Sequence, residues 1–217
     1  MIPLYRQPRP NLFTLEQTAA LRFATARPGV YVEDSQAFTE ALGRQERYIQ
    51  LGRGEFYLYG DVTAANDDVL IQGIGPETVI RFAEDAELLF SGDRQLIRDL
   101  CIDGADTAFA RTRSTLATGE FFTADNVWFK DSKGGLSLQG DFASVHACMV
   151  TGHTTCGILA SGDRARIHRN YLEALAGGFG DIRVMGDNCL VNFNQIPGGA
   201  PGVNPVGVGN NTAHNML

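Results

Sequence analysis

The chain is 217 residues long, enough for one domain with an appendage and short for two. A hydrophobic share of 44% excludes wholesale disorder, and 25 glycines, against a usual share of about 7%, point to many turns and little helix. A net charge of −7 argues against nonspecific nucleic-acid binding, which needs a basic surface to displace counterions, and no apolar run approaches the ~20 residues of a bilayer span.

From the start, Pro3, Pro8 and Pro10 sit in a stretch without periodicity, so residues 1 to about 13 read as an extended arm that needs a partner surface. The opening Met1-Ile2-Pro3-Leu4-Tyr5-Arg6 lacks the charged start and apolar stretch of a signal peptide, so the expectation is synthesis in the cytoplasm without signal-directed export. Leu15, Ala19, Leu21 and Phe23 allow one short amphipathic helix between Thr14 and Ala26, and residues 1–33 are read together as an anchoring arm. Asp34 and Ser35 then offer N-cap oxygens before Ala37, Phe38, Ala41 and Leu42, with Gly43 as a stop, which predicts a capping helix at about 35–44.

After Tyr48 the pattern changes to short strands separated by glycine, aspartate and asparagine. The segments ending in Gly92-Asp93, Gly140-Asp141, Gly162-Asp163 and Gly186-Asp187 finish alike, and five residues past each glycine stands an apolar anchor: Ile97, Val145, Ile167 and Val191. Asn66 to Ile71 and Ala124 to Phe129 follow the same offset as weaker copies. Gly140 to Gly162 is 22 residues and Gly162 to Gly186 is 24, the length of one solenoid coil, whereas the 32-residue step from Gly92 to Ala124 predicts a protruding loop at about 104–118.

A coil of this length with two or three short strands leaves no room for a helix in each repeat. Stacked coils bury what one coil cannot, so the reading is an all-β, right-handed, single-stranded parallel β-helix over residues 34–217. A leucine-rich repeat would require a regular leucine framework, and a β-sandwich would not produce the common five-residue offset. Asn170 and Asn194 fall at the same place in successive coils, where their amides can hydrogen-bond along the stack; two exposed turn asparagines are the plainer alternative. Cys101, Cys148, Cys156 and Cys189 form no CxxC pair and are expected as buried free thiols, without zinc or redox function.

Three stretches carry a family resemblance: Asp34-Ser35-Gln36-Ala37-Phe38-Thr39-Glu40-Ala41-Leu42, Tyr48 to Leu58 with its Gly54-Glu55-Phe56, and Val69-Leu70-Ile71-Gln72-Gly73-Ile74-Gly75-Pro76-Glu77-Thr78-Val79-Ile80. Together they resemble the pectate-lyase-like β-helix superfamily, in particular its phage tailspike and head-spike members, over roughly residues 34–200. The resemblance implies a capping helix, a first strand of the form G-x-Y/F and a following coil I-x-G-x-G-x-x-T-x-I. It is specific for fold and weak for activity, because the same fold hosts lyases, hydrolases, epimerases and inert spikes.

Glycoside cleavage commonly needs two carboxylates, so acidic stacks are the first place to look for chemistry. Asp99 and Asp131 each fall two residues past an anchor and are expected as neighbours on successive coils, with Asp103 and Asp106 nearby and Glu173 farther along. Lys130, His146 and His168 fall one residue past their anchors, with Arg98 before and Asn192 after, as an outward stripe suited to an anionic sugar. Turn-forming and solvation account for the same residues without a ligand, and Asp93, Asp141, Asp163 and Asp187 read as turn-formers beside glycine. The superfamily's lyase arginine and calcium-binding aspartates find no counterpart, so no catalytic residue is carried over, and neither a metal nor a cofactor is expected.

The functional expectation is a structural component of a phage-like particle, a head or tail spike of a phage, prophage or gene transfer agent. It would assemble as a trimer, meet other virion or spike proteins through residues 1–30 and the C-terminal edge, and attach to a surface polysaccharide or to another spike protein. The enzymatic rival is a polysaccharide lyase or glycoside hydrolase working through Asp99, Asp103 and Asp131; a free-standing lectin is the third class.

Overall fold

The computed structural model describes residues 29–83, 86–104, 115–174, 181–197 and 202–216. Strand β1 (Val30–Val32) and helix α1 (Ser35–Gly43) precede the coil of β2 (Tyr48–Leu51), β3 (Gly54–Leu58) and β4 (Val62–Ala64). The next coils carry β5 (Leu70–Gln72), β6 (Thr78–Phe82) and β7 (Leu88–Phe90), then β8 (Leu96–Asp103) and β9 (Thr115–Ala117), then β10 (Thr123–Lys130) and β11 (Leu136–Leu138). The last are β12 (Ser144–His146), β13 (Met149–His153) and β14 (Ile158–Ala160), β15 (Arg166–His168), β16 (Tyr171–Ala174) and β17 (Ile182–Val184), and β18 (Leu190–Asn192) with β19 (Val203–Pro205).

Every strand pairing among the described residues is parallel and links one coil to the next. One ladder runs β1-β2-β5-β8-β10-β12-β15-β18, and a second runs β4-β7-β9-β11-β14-β17-β19. A third face is formed by β3, β6, the second halves of β8 and β10, β13 and β16. The molecule is a parallel β-helix with one helix among the described residues, as the glycine-punctuated repeat implied. Val30–Val32, inside the stretch read as the arm, already pairs with Ile49–Leu51 as the first rung. The arm's remainder and the short helix expected at Thr14–Ala26 lie outside the described residues.

Helix α1 closes the apolar interior at the first coil. Asp34 Oδ1 accepts from the Ala37 amide at 2.8 Å, satisfying one of the donors a helix leaves open at its start. Phe38, Ala41 and Leu42 are buried against β3 and β4, and the Phe38 ring meets Phe56 edge-on at 6.0 Å.

Inside, side chains stack by type of position. Ile49, Ile71, Ile97, Ala124, Val145, Ile167 and Val191 form one fully buried column, aligned residue for residue. This register corrects the sequence reading at one coil: Ala124, not Phe129, is the partner of Ile97 and Val145, and Phe129 lies between Ile102 and Val150 on the next face. The turn glycine of that coil is Gly119, which packs between Gly92 and Gly140. The five-residue offset therefore holds from Gly119 to Ala124, and the uneven 32- and 16-residue steps become 27 and 21. Thr115–Ala117 forms β9 within the expected loop of 104–118, whose residues 105–114 lie outside the described ones.

Two side-chain ladders hold the turns. Asp67, Asp93, Asp141, Asp163 and Asp187 each accept the amide of a residue one coil on, at 2.7–2.9 Å, so the aspartates after Asn66 and the turn glycines clamp neighbouring turns. On the inner side, Asn170 Nδ2 donates to Asn194 Oδ1 at 3.0 Å and Asn194 Nδ2 donates to Asn215 Oδ1 at 2.9 Å. Each amide also donates to a carbonyl of the coil before, Val145, Ile167 and Val191 in turn, and Asn170 Oδ1 accepts the Cys148 amide. The expected asparagine stack is real and one member longer than the sequence reading had it.

Asn194 is fully buried and its side chain makes four hydrogen bonds, so Asn194→Ala takes the acceptor from the Asn170 backbone amide and from one of the two Asn170 Nδ2 bonds, and the donor from the Ile167 carbonyl and Asn215 Oδ1. A loss of about 2–4 kcal/mol is expected from orphaning buried polar groups. Urea unfolding of the two proteins measures it, and Asn215→Ala, at a half-buried site, should cost less.

Candidate functional site

The outward face of the first ladder gathers the polar side chains. Once per coil, the strand after the turn projects the column Gln50, Gln72, Arg98, Asp125, His146, His168 and Asn192. All seven are half-buried: they support one another along the stack and still present polar atoms to solvent. Two rows of left-handed residues flank the strands. Asp68, Arg94, Phe121, Phe142, Arg164 and Asn188 take φ of 56–60° in the turn before them, and Asp99, Asn126, Ala147, Arg169, Phe193 and His214 take 52–62° in the bend after them. Such conformations are uncommon outside glycine, and here they turn the chain sharply at the same two corners of each coil.

The first half of the column is tied internally. Asp99 accepts from Arg98 Nε at 2.7 Å, from Gln72 Nε2 at 3.3 Å and from Asn126 Nδ2 at 2.8 Å. Arg98 is thus held by its chain neighbour. Asp99 has Asn126, not Asp131, beside it on the next coil, because the register of β10 differs from that inferred. In the second half, His146 Nδ1 lies 3.0 Å from Asp125 Oδ1 and the His146 and His168 rings are 4.6 Å apart. His146 and His168 are neighbours as expected. Asp125 occupies the place assigned to Lys130, for the same reason of register.

Lys130 belongs to the neighbouring face with Asp103 and Asp131. There Glu55, Arg81, Asp103, Lys130 and Asp131 alternate in sign: Arg81 reaches Glu55 at 3.0 Å and Asp103 at 3.2 Å, and Lys130 Nζ reaches Asp103 at 3.3 Å and Asp131 at 3.1 Å. The hydrogen bond to Asp131, helped by Asp103 and opposed by desolvation, holds the Lys130 ammonium above its usual pKa. The Asp103 side chain is only 3% exposed, with Arg81 and Lys130 beside it. Of the three acidic candidates, the structure joins Asp103 and Asp131 through Lys130 and leaves Asp99 on the other face. Glu173 accepts from the Tyr171 hydroxyl, and Asp106 is outside the described residues.

Sequence reasoning missed Asp125, Glu55 and Arg81, and a buried pair in which His153 Nε2 lies 3.0 Å from Asp181 Oδ1 without the alignment of a hydrogen bond. Matching Gly119-Glu120 to the Gly-Asp turns would have found Asp125. Nothing in the repeat marks His153 and Asp181. Near them burial pushes the Cys156 thiol up to about 11, and burial likewise pushes Cys148 to about 12, so neither is a thiolate nucleophile at neutral pH.

Burial first, then the positive fields of His146, Arg169 and Arg166, lowers the His168 pKa from 6.5 to about 4. A base whose folded pKa is depressed stabilises the fold fully above its unfolded value, and that contribution is lost as the pH falls from 6.5 toward about 4, where only the unfolded chain takes up the proton. Urea midpoints measured across this window should fall for the wild type and fall less for His168→Gln.

No family model matches the sequence, and no curated protein matches it. Among solved structures the chain is similar to the catalytic domain of a GH87 α-1,3-glucanase in complex with tetrasaccharides, at 15% identity and a TM-score of 0.56, covering 82% of this chain and 39% of that one. It is also similar to the PL6 family alginate lyase AlyGC, at 13% identity and a TM-score of 0.54, covering 78% and 28%. ORF18 of Geobacillus virus E2 superposes at 12% identity over 88% of this chain and 62% of that one with a TM-score of 0.35, too low to bear on the fold. The chain spans about two fifths or less of the length of the two enzymes it resembles. At these identities the likeness establishes a shared β-helix architecture.

Proposed function

We propose that this β-helix binds a polysaccharide along its side without cutting it. The reading is carried by the lateral column from Gln50 to Asn192, in which amide, guanidinium, carboxylate and imidazole groups recur once per coil on a rigid, half-exposed face. Such a surface matches a polymer with repeating hydroxyls better than a compact metabolite, which calls for a concave pocket. The α-1,3-glucanase and the alginate lyase that share the fold act on polysaccharides, which favours a glycan for this chain as well. Against cleavage stands the burial of Asp103, whose carboxylate no sugar reaches without displacing Arg81 or Lys130.

The finer form of the proposal is attachment: the chain serves as a spike component of a phage-like particle and works as an oligomer. It is supported by exposed apolar side chains along the chain, among them Tyr31, Tyr59, Ile74, Met149, Met185 and Val206, since exposed apolar surface is where contact with other protein forms.

Retention of the protein on a panel of bacterial surface polysaccharides, with reducing ends and unsaturated products followed in parallel, tests the reading. The expected outcome is retention without product, with binding weakened about tenfold in the double variant His146→Ala, Asn192→Ala through loss of polar contacts. Release of oligosaccharides that stops in Asp103→Asn or Asp131→Asn would establish the enzyme instead. Native mass measurement addresses the attachment form, which a monomer at micromolar concentration would remove.

A further inference from the structure

We infer that the glycan bound on this face is acidic, its carboxylate or sulfate groups held by the rung Arg166, His168 and Arg169. This rests on the glycan-binding reading and specifies its ligand class. The described arginines of the earlier coils mostly have carboxylate partners: Arg44 with Glu40, Arg53 with Glu77, Arg81 with Glu55 and Asp103, Arg94 with Asp68, and Arg98 with Asp99. Arg164, Arg166 and Arg169 fall within six residues of one coil, are all exposed, and have no carboxylate within ion-pairing distance among the described residues. In a chain of net charge −7, three unpaired arginines on one rung form a local reversal of the field.

The adjoining rungs sharpen the site. One coil back stand Phe142, Ser144, His146 and Ala147, and one coil on stand Asn188, Leu190, Asn192 and Phe193, none of them acidic. Asp163 and Asp187, the acids of the neighbouring turns, spend their Oδ1 atoms on backbone amides of the next coil. The His168 ring lies 4.6 Å from that of His146 and shares its strand with Arg166, and the charges of His146, Arg169 and Arg166 all act on it. Guanidinium forks match the planar carboxylate and the sulfate, which ammonium groups match less well. At the two corners of the face Phe142 carries Arg164 over its ring at 5.1 Å, and Phe193 is 55% exposed, stacked on His214 at 5.4 Å. Phe142 is sandwiched between Phe121 and Arg164, so the open aromatic surface beside the cationic rung is that of Phe193, onto which the apolar face of a sugar ring can pack.

The test uses the full chain on immobilised polygalacturonate, heparin and dextran, which offer carboxylates, sulfates and neither. Wild-type protein should be retained on polygalacturonate or heparin in preference to dextran, with binding that weakens as salt rises. Arg166→Glu with Arg169→Glu should reduce that binding about tenfold or more through charge reversal at unburied sites, without shifting the thermal midpoint. Arg44→Glu, on α1 and far along the stack, should bind as the wild type does. Equal retention on dextran, unchanged in the double variant, overturns the acidic class while leaving the glycan reading intact. No retention on any of the three overturns both, and displacement by single-stranded DNA at equal anion concentration would reassign the rung to nucleic acid.

Discussion

Parallel pairing between coils is the constraint from which the rest follows, because each coil has no closed core and no satisfied edges of its own. The hydrogen bonds from Ile97 to Ala124 to Val145 and onward lock side chains into columns, so one residue's position decides the chemistry of the next coil's equivalent. Apolar columns fill the interior. Where a polar group must enter, as at Asn170, Asn194 and Asn215, it survives because its partner is its own counterpart one coil away, and every donor is used. The same logic acts outside, where charges of opposite sign alternate from Glu55 through Arg81 and Asp103 to Lys130.

Much of this was legible in the residues alone. The Gly-Asp turns and their five-residue offset to an apolar anchor gave the coil length, the interior column and the asparagine stack, since those positions are dictated by backbone geometry and tolerate few residue types. The error arose at one coil. There the turn reads Gly119-Glu120 and the anchor is Ala124, small enough to pass for a turn residue, while Phe129 offered a larger apolar side chain at the wrong place. Five residues of slip moved Lys130 and Asp131 onto the wrong face and hid Asp125. Steric fit explains Ala124: the bulky Phe122 precedes it and packs on Phe90 at 5.0 Å, so this layer already has its volume. The burial of Asp103 was illegible for another reason, being set by the reach of Arg81 and Lys130 across coils.

The candidate face shows how a solenoid can divide labour. Its early coils are saturated with internal contacts, Asp99 alone taking three, and are stiff for that reason. Its later coils leave polar and cationic atoms open on strands that are paired on both sides. A ligand meeting that region would find groups already oriented, with little ordering left to do on binding.

The turn glycines carry a consequence for ancestry. Gly119, Gly140, Gly162, Gly186 and Gly207 each sit so close to the carbonyl of the preceding glycine that any β-carbon would collide with it. From Gly92 onward that corner of the circuit admits a single letter, Asn66 holding it in the coil before. Change must come through the opposite walls and their connecting loops, or by copying an entire circuit at once, which lengthens the spindle while importing a ready-made seam. Lineages built this way would keep their axis and exchange their surfaces.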